Sequence, residues 1–228
     1  MDSIASGVPA SCHSDDTATA GQLGLAIESW AAVNLREFPW RAWTDLYRLT
    51  VTEVLLQQTA APKVAAFVAS WFERYPSWAE LAAAPAEELE AALLPLGLHR
   101  RRAATLNRLA LSFVEGPSAD MASRPGVGQY ISRAVAVALR GEAVAMVDVN
   151  FVRILHRAFD GPWKADYRYD SRLQALALAV VEAATDARTI NWAVLDLAAK
   201  VCKAGRPRCP ACPIMDVCRT GSMAGAVP

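Results

Sequence analysis

Residues 202–218 read Cys-Lys-Ala-Gly-Arg-Pro-Arg-Cys-Pro-Ala-Cys-Pro-Ile-Met-Asp-Val-Cys and hold four of the chain's five cysteines, separated by six, two and five residues. Thiols crowded this closely have a chemical reason. In a reducing compartment they serve as thiolate ligands rather than as disulfides. Four thiolates suit either one tetrahedral zinc or a cubane [4Fe–4S] cluster. Zinc ribbons usually set two close C-x2-C pairs around a longer loop. Here one pair is close and all four cysteines, Cys202, Cys209, Cys212 and Cys218, fit one compact loop, which favours the cluster. Pro207, Pro210 and Pro213 stiffen that loop and lower the entropy lost when it wraps a metal. Cys12 stands apart in the N-terminal stretch and is given no role.

Outward from the loop, apolar residues recur at helical spacing: Val194, Leu197, Ala198 and Val201 before it, then Leu173, Leu176, Ala177, Val180, Val181 and Ala184, and Phe151, Ile154, Leu155, Ala158 and Phe159. The pattern continues upstream through Ala103, Leu106, Ala110 and Phe113, and through Val64, Phe67, Val68, Trp71, Phe72 and Tyr75. Pro62 and Pro85 stand where helical segments begin, as suits the first turn. Only a short stretch around Ala143 to Val149 hints at a strand. The expected class is all-α with short connections.

At 228 residues the chain has room for one large domain or two small ones. With 54% apolar and 20% charged residues it is globular in composition, neither disordered nor collagen-like. The longest apolar run is the seven residues Ala175 to Val181, well short of the roughly 18–20 that cross a bilayer, so no membrane span is expected. The first twenty residues carry Asp2, Asp15 and Asp16, no Lys or Arg, and no secretory core. They are expected to form a mobile tail, over residues 1–22, of a cytoplasmic protein. Twenty-three basic against 23 acidic residues give no net charge, so composition does not announce a nucleic-acid partner. The basic residues are nonetheless clustered, at His99, Arg100, Arg101, Arg102 and Arg108 and again at Lys200, Lys203, Arg206, Arg208 and Arg219. Either cluster reads as a solvated helical face or as an anion-binding surface.

Three further features carry chemistry. Pro125-Gly126-Val127-Gly128 lies between two helical patterns. Its glycines permit positive φ and close approach of a strand of nucleic acid, and the amides opening the next helix point at an anion; the same tetrapeptide also reads as an ordinary interhelical turn. Val147-Asp148-Val149-Asn150 places an acid in an apolar stretch ahead of a helix, either as an N-cap or as a working carboxylate. Glu53, in Thr52-Glu53-Val54-Leu55-Leu56-Gln57-Gln58-Thr59, is a carboxylate on an apolar helix, costly there unless paired, used or exposed.

Taken in order, Phe38-Pro39-Trp40-Arg41, Thr52 to Thr59, Gly97-Leu98 with its basic stretch to Arg102, Pro125 to Gly128, Val147 to Asn150 and the C-x6-C-x2-C-x5-C loop resemble the helix-hairpin-helix DNA glycosylases of the endonuclease III superfamily. The resemblance covers roughly residues 24–220. It implies a two-domain fold: a six-helix domain at 41–142, and an iron–sulfur cluster domain made from 23–40 and 143–222, with a second tail at 223–228. It further implies a nucleoid-associated monomer acting on double-stranded DNA laid across the cleft between the domains. Gly126, Val127 and Gly128 would grip a phosphate. Gln57 and Gln58 would probe the space left by a flipped base, with Leu98 or His99 as a wedge from the opposite loop.

The implied chemistry suits the residue types. Breaking an N-glycosidic bond develops oxocarbenium charge on the sugar, which a fixed carboxylate at Asp148 stabilises while it orients or deprotonates water. Glu53 would be the second carboxylate; in the family's adenine glycosylases the matching glutamate protonates the leaving base. Bifunctional members carry a lysine where this chain has Tyr130, and that lysine forms a Schiff base and cuts the strand. Tyr130 therefore implies a monofunctional enzyme, whose abasic product a downstream abasic-site endonuclease would take. Tyr130 and the stretch Met146 to Arg153 most resemble the mismatch glycosylases that remove T or U opposite G. Gln57-Gln58-Thr59 instead resembles adenine glycosylases, which act on A opposite 8-oxoguanine, although the sequence ends ten residues after Cys218 without the extra C-terminal domain those enzymes use. Another modified base, a non-catalytic lesion sensor and a zinc-bound DNA-binding module are the remaining readings. Arg124 departs from the apolar residue usual before the hairpin proline, and either loosens packing or adds a phosphate contact.

Overall fold

The computed structural model describes residues 14–116 and 120–225, and among them the chain is helical with no strand. Eleven α-helices are present among the described residues: α1 (Ser14–Ala31), α2 (Leu46–Leu56), α3 (Ala61–Arg74), α4 (Trp78–Ala83), α5 (Ala86–Leu93), α6 (His99–Val114), α7 (Gly128–Arg140), α8 (Val149–Ala158), α9 (Ser171–Glu182), α10 (Ala187–Lys200) and α11 (Arg219–Gly225). They divide into two compact units, one of residues 37–140 carrying α2 to α7, the other of residues 1–36 and 141–228 carrying α1 and α8 to α11.

Acidic and hydroxyl side chains start five of these helices by accepting hydrogen bonds from the otherwise orphaned first-turn amides. Asp45 accepts from Arg48 N at 2.7 Å ahead of α2, and Ser77 from Ala79 N at 3.1 Å ahead of α4. Asp170 accepts from Leu173 N at 2.9 Å ahead of α9, and Asp186 from Thr189 N at 3.0 Å ahead of α10. Burial alone would raise Asp186, but hydrogen bonds from Thr189 and from the Arg188 amide outweigh it and hold the carboxyl below its ordinary range.

Each unit has its own core. In the first, Tyr47, Val51, Leu55, Val68, Trp71, Leu106 and Ile131 are among the side chains that close together. In the second, Leu23 and Ile27 of α1 join Leu176, Val180, Val194 and Leu197 of α9 and α10. Each such leucine or isoleucine contributes about 1.5–3 kcal/mol by leaving water. Arg36, just beyond α1, is fastened to α10 through Asp196, which accepts from its backbone N at 2.7 Å and from Nε at 2.6 Å.

Three local expectations need correction. The N-terminal tail expected over 1–22 yields to helix from Ser14, because Ala20, Leu23 and Ile27 bury one stripe of α1 in the core; Cys12 lies outside the described residues. The second tail, expected over 223–228, gives way to helix as far as Gly225, whose start is tied by Thr220 Oγ1 donating to Arg157 O at 2.8 Å and Ser222 N to Cys218 O at 2.9 Å. The strand-like stretch before α8 is extended but pairs with no strand. The buried amide of Asn191 takes the ladder's place: its Oδ1 accepts from Met146 N at 2.8 Å and its Nδ2 donates to Val144 O at 3.0 Å.

Candidate functional site

In the unit of α1 and α8 to α11, Asp148 is half-buried and caps α8. Its Oδ1 accepts from the backbone N of Asn150 and of Phe151, each at 2.9 Å, and its Oδ2 from Asn150 Nδ2 at 2.6 Å. The cap and the working carboxylate are therefore compatible: three donors fix the orientation, and a carboxylate with about four acceptor positions keeps room for another partner. Asn150 is held in turn, its Oδ1 accepting from Arg153 Nη2 at 3.1 Å, and Arg153 Nε donates to Cys202 O at 2.8 Å. A continuous chain of hydrogen bonds thus runs from Asp148 to the backbone of the first loop cysteine. Tyr167 belongs to the same neighbourhood: burial, and then the charge of Asp148, raise its phenol above its ordinary range.

The four loop cysteines line one pocket, walled by Ile154, Val201, Ile214 and Met215 without a carboxylate. Cys202 and Cys218 are buried, Cys209 and Cys212 half-buried. Burial pushes the Cys212 thiol up to about 11, with the neighbouring thiols adding to it. Arg157 binds the loop like a staple, donating to Lys203 O at 2.7 Å, to Ala204 O and Gly205 O at 3.2 Å, and to Cys202 Sγ at 3.2 Å. Among the described residues no group of three or more His, Cys, Asp or Glu side chains is gathered so as to hold a metal ion. The cysteines share a pocket, then, without converging on one point. A pocket with four thiols and no carboxylate or histidine fits a group held by several thiolates. Lys203, Arg206 and Arg208 of the second basic cluster are exposed on this loop.

In the unit of α2 to α7, Pro125 to Gly128 form the turn into α7. Gly126 and Gly128 have φ of +78° and +59°, a region that L side chains rarely adopt. Both glycines are exposed while Val127 between them is buried, its N donating to Arg124 O at 3.1 Å. Arg124 turns inward: its guanidinium lies 3.7 Å from the Phe113 ring centre, and Nη1 donates to Ser112 Oγ at 3.1 Å. The expected loosened packing or phosphate contact at Arg124 is therefore replaced by a buried cap on the end of α6. Tyr130, two residues into α7, is half-buried against the core.

Glu53 sits half-buried on α2, and Gln57 and Gln58 follow at the helix end, both exposed. Gln58 has φ of +54° and Leu98, at the start of α6, has φ of +53°. Left-handed backbone costs a non-glycine residue roughly 1–2 kcal/mol. Leu98 is 47% exposed, a large apolar side chain in water, and His99 beside it is half-buried. The basic run that follows is not one solvated face. Arg102 is buried and bonds to both loops, a role that charge counting missed and that no local pattern signals. The Arg153–Cys202 tie escaped for the same reason, since its partners lie far apart in sequence.

Residues 51–181 match the family described as HhH-GPD superfamily base excision DNA repair protein. Thymine-DNA glycosylase from Aeropyrum pernix is 32% identical over 202 residues, covering 84% of this chain and 90% of that protein. Adenine DNA glycosylase from Mycolicibacterium smegmatis is 34% identical over 199 residues, covering 83% of this chain and 67% of that one. Among solved structures, a thermostable thymine-DNA glycosylase superposes with a TM-score of 0.83 at 27% identity, covering 90% of this chain and 98% of the other. An endonuclease III trapped on DNA superposes with a TM-score of 0.75 at 21% identity over 92% and 98% of the two chains, a likeness of fold.

Proposed function

Since the chain belongs to the HhH-GPD superfamily of base excision DNA repair proteins and is a DNA glycosylase, we propose that it hydrolyses the N-glycosidic bond of T or U mispaired with G in double-stranded DNA and leaves the abasic site uncut. Asp148 is the central carboxylate. Its orientation is set by the amides of Asn150 and Phe151 and by Asn150 Nδ2, and its charge opposes the positive charge that grows on the deoxyribose as the base departs. The same carboxylate orients the attacking water or takes its proton. Glu53 is the second carboxylate, and Gln57, Gln58, Leu98 and His99 enter the duplex around the flipped nucleotide. The glycines of the hairpin leave backbone amides free of Cβ crowding for a phosphate, with Val127 anchored beneath them.

The observation that carries the monofunctional reading is Tyr130, half-buried two residues into α7, where bifunctional relatives place their Schiff-base lysine. A phenol has no amine to form the imine from which β-elimination proceeds. Tyr130→Lys is expected to add strand cleavage and an adduct trapped by borohydride. Absence of any adduct in an enzyme that still releases base removes Tyr130 from beside the sugar.

Removal of A is the second reading, favoured by Gln57 and Gln58 and by the adenine glycosylase relatives; Glu53 would then protonate the leaving purine. In either case the product is an abasic site, which an abasic-site endonuclease must consume.

Cys202, Cys209, Cys212 and Cys218 are the residues that would hold a [4Fe–4S] cluster, common among endonuclease III-like glycosylases. Held by those four thiolates, such a group would tie the loop together and add to its rigidity. Lys203, Arg206 and Arg208 would then form a fixed basic surface toward DNA.

A further inference from the structure

Arg102 lies in a run of four basic residues at the start of α6, yet it is 4% exposed while Arg100 and Arg101 stand in solvent. Its position is unfavourable twice over. Burial lowers its pKa, and the first turn of a helix is the end where the helix dipole opposes a positive charge. Among the described residues the guanidinium meets oxygens but no carboxylate. Nη1 donates to Gly97 O at 2.5 Å, and Nη2 to Gln57 O at 2.7 Å and Thr59 Oγ1 at 2.9 Å.

Those oxygens belong to two loops, the one that ends α2 and the one that opens α6. Two of them are carbonyls of a particular kind. The Gln57 carbonyl belongs to the peptide that precedes Gln58, and the Gly97 carbonyl to the peptide that precedes Leu98. Gln58 and Leu98 are the two non-glycine residues with positive φ among those described. One planar fork therefore grips the peptide plane ahead of each left-handed residue. A lysine, a point charge on a flexible stem, cannot reproduce that geometry.

We propose that Arg102 is a positioning residue that locks the peptides ahead of Gln58 and Leu98, and so sets the relation between the side chain that probes the vacated base position and the one that wedges in from the other loop. This rests on the reading that both side chains enter the duplex. Arg102 itself touches neither base nor sugar; it acts through the two loops.

The test uses a duplex carrying a tetrahydrofuran abasic-site analogue opposite G with 2-aminopurine beside it, a probe independent of which base the enzyme removes. Arg102→Lys is expected to keep affinity for undamaged duplex within about twofold, while preference for the analogue falls tenfold or more and the 2-aminopurine fluorescence rise is lost. Unchanged preference and fluorescence overturn the proposal, as does a parallel loss of affinity for both duplexes, the mark of a merely structural role. Thr59→Val removes one acceptor and is expected to lower preference about threefold; it serves if the lysine variant fails to fold, and wild-type preference in it counts against the proposal. Gln58→Ala and Leu98→Ala separate the two ideas. If neither alters preference, the contact reading fails and the proposal with it. If both lower it and Arg102→Lys does not, positioning alone fails. Adding Leu98→Ala to Arg102→Lys is expected to cost no more than the worse single change, because the two act on one step.

Discussion

Asp148 has one observed duty, as the α8 cap, and one proposed duty in the chemistry, and one substitution separates them. As the α8 cap it accepts from two amides, and asparagine caps about as well as aspartate, whereas alanine in its place typically costs about 1 kcal/mol. Asp148→Asn is therefore expected to keep the melting temperature and to hold DNA affinity within several-fold while base release falls to background, since the carboxylate acts on the transition state. Single-turnover kinetics with a melting curve check this; wild-type turnover in the asparagine variant removes Asp148 from the chemistry. The acid itself was legible in the sequence, because a lone carboxylate in an apolar stretch stands out. What holds it was not. The Arg153–Cys202 and Arg102–Gln57 hydrogen bonds run to backbone carbonyls 49 and 45 positions away, and such bonds leave no periodic or compositional trace.

The hairpin is an element whose sequence spoke for its geometry. At the hairpin a Cβ on Gly126 would collide with the side chain of Thr105, whereas one on Gly128 would meet open space. Gly126→Ala is thus expected to lose more stability than Gly128→Ala, the first from clash and φ together, the second from φ alone. Equal melting temperatures for the two variants would contradict that. In the cysteine loop, Cys209→Ser is expected to lose iron and most DNA binding together, since the proposed cluster would organise the segment; an intact iron count overturns the ligand assignment. The helices were readable from their apolar periods and the aspartates ahead of them. The segment before α8 looked like a strand because a buried asparagine satisfies its backbone as a neighbouring strand would. The first turns of α1 were hidden because their acidic, lysine-free start resembles a tail, while the apolar stripe that buries them begins only at Ala20.

At the scale of the molecule, the two units have separate cores, and the residues proposed for one reaction are divided between them: Asp148 and the cysteine loop in one, Glu53, Tyr130, the hairpin and the Arg102 fork in the other. Net charge gave no hint of DNA, because 23 basic and 23 acidic residues cancel while the basic ones gather on the cysteine loop and at the start of α6. The measurement that tests the account most directly is single-turnover incubation with duplexes containing T:G, U:G, A:8-oxoguanine and undamaged pairs, each assayed with and without alkali. The account predicts base release from T:G and U:G, with strands cut only after alkali. Release of A opposite 8-oxoguanine without release of T or U, or strand cleavage in the absence of alkali, would contradict it.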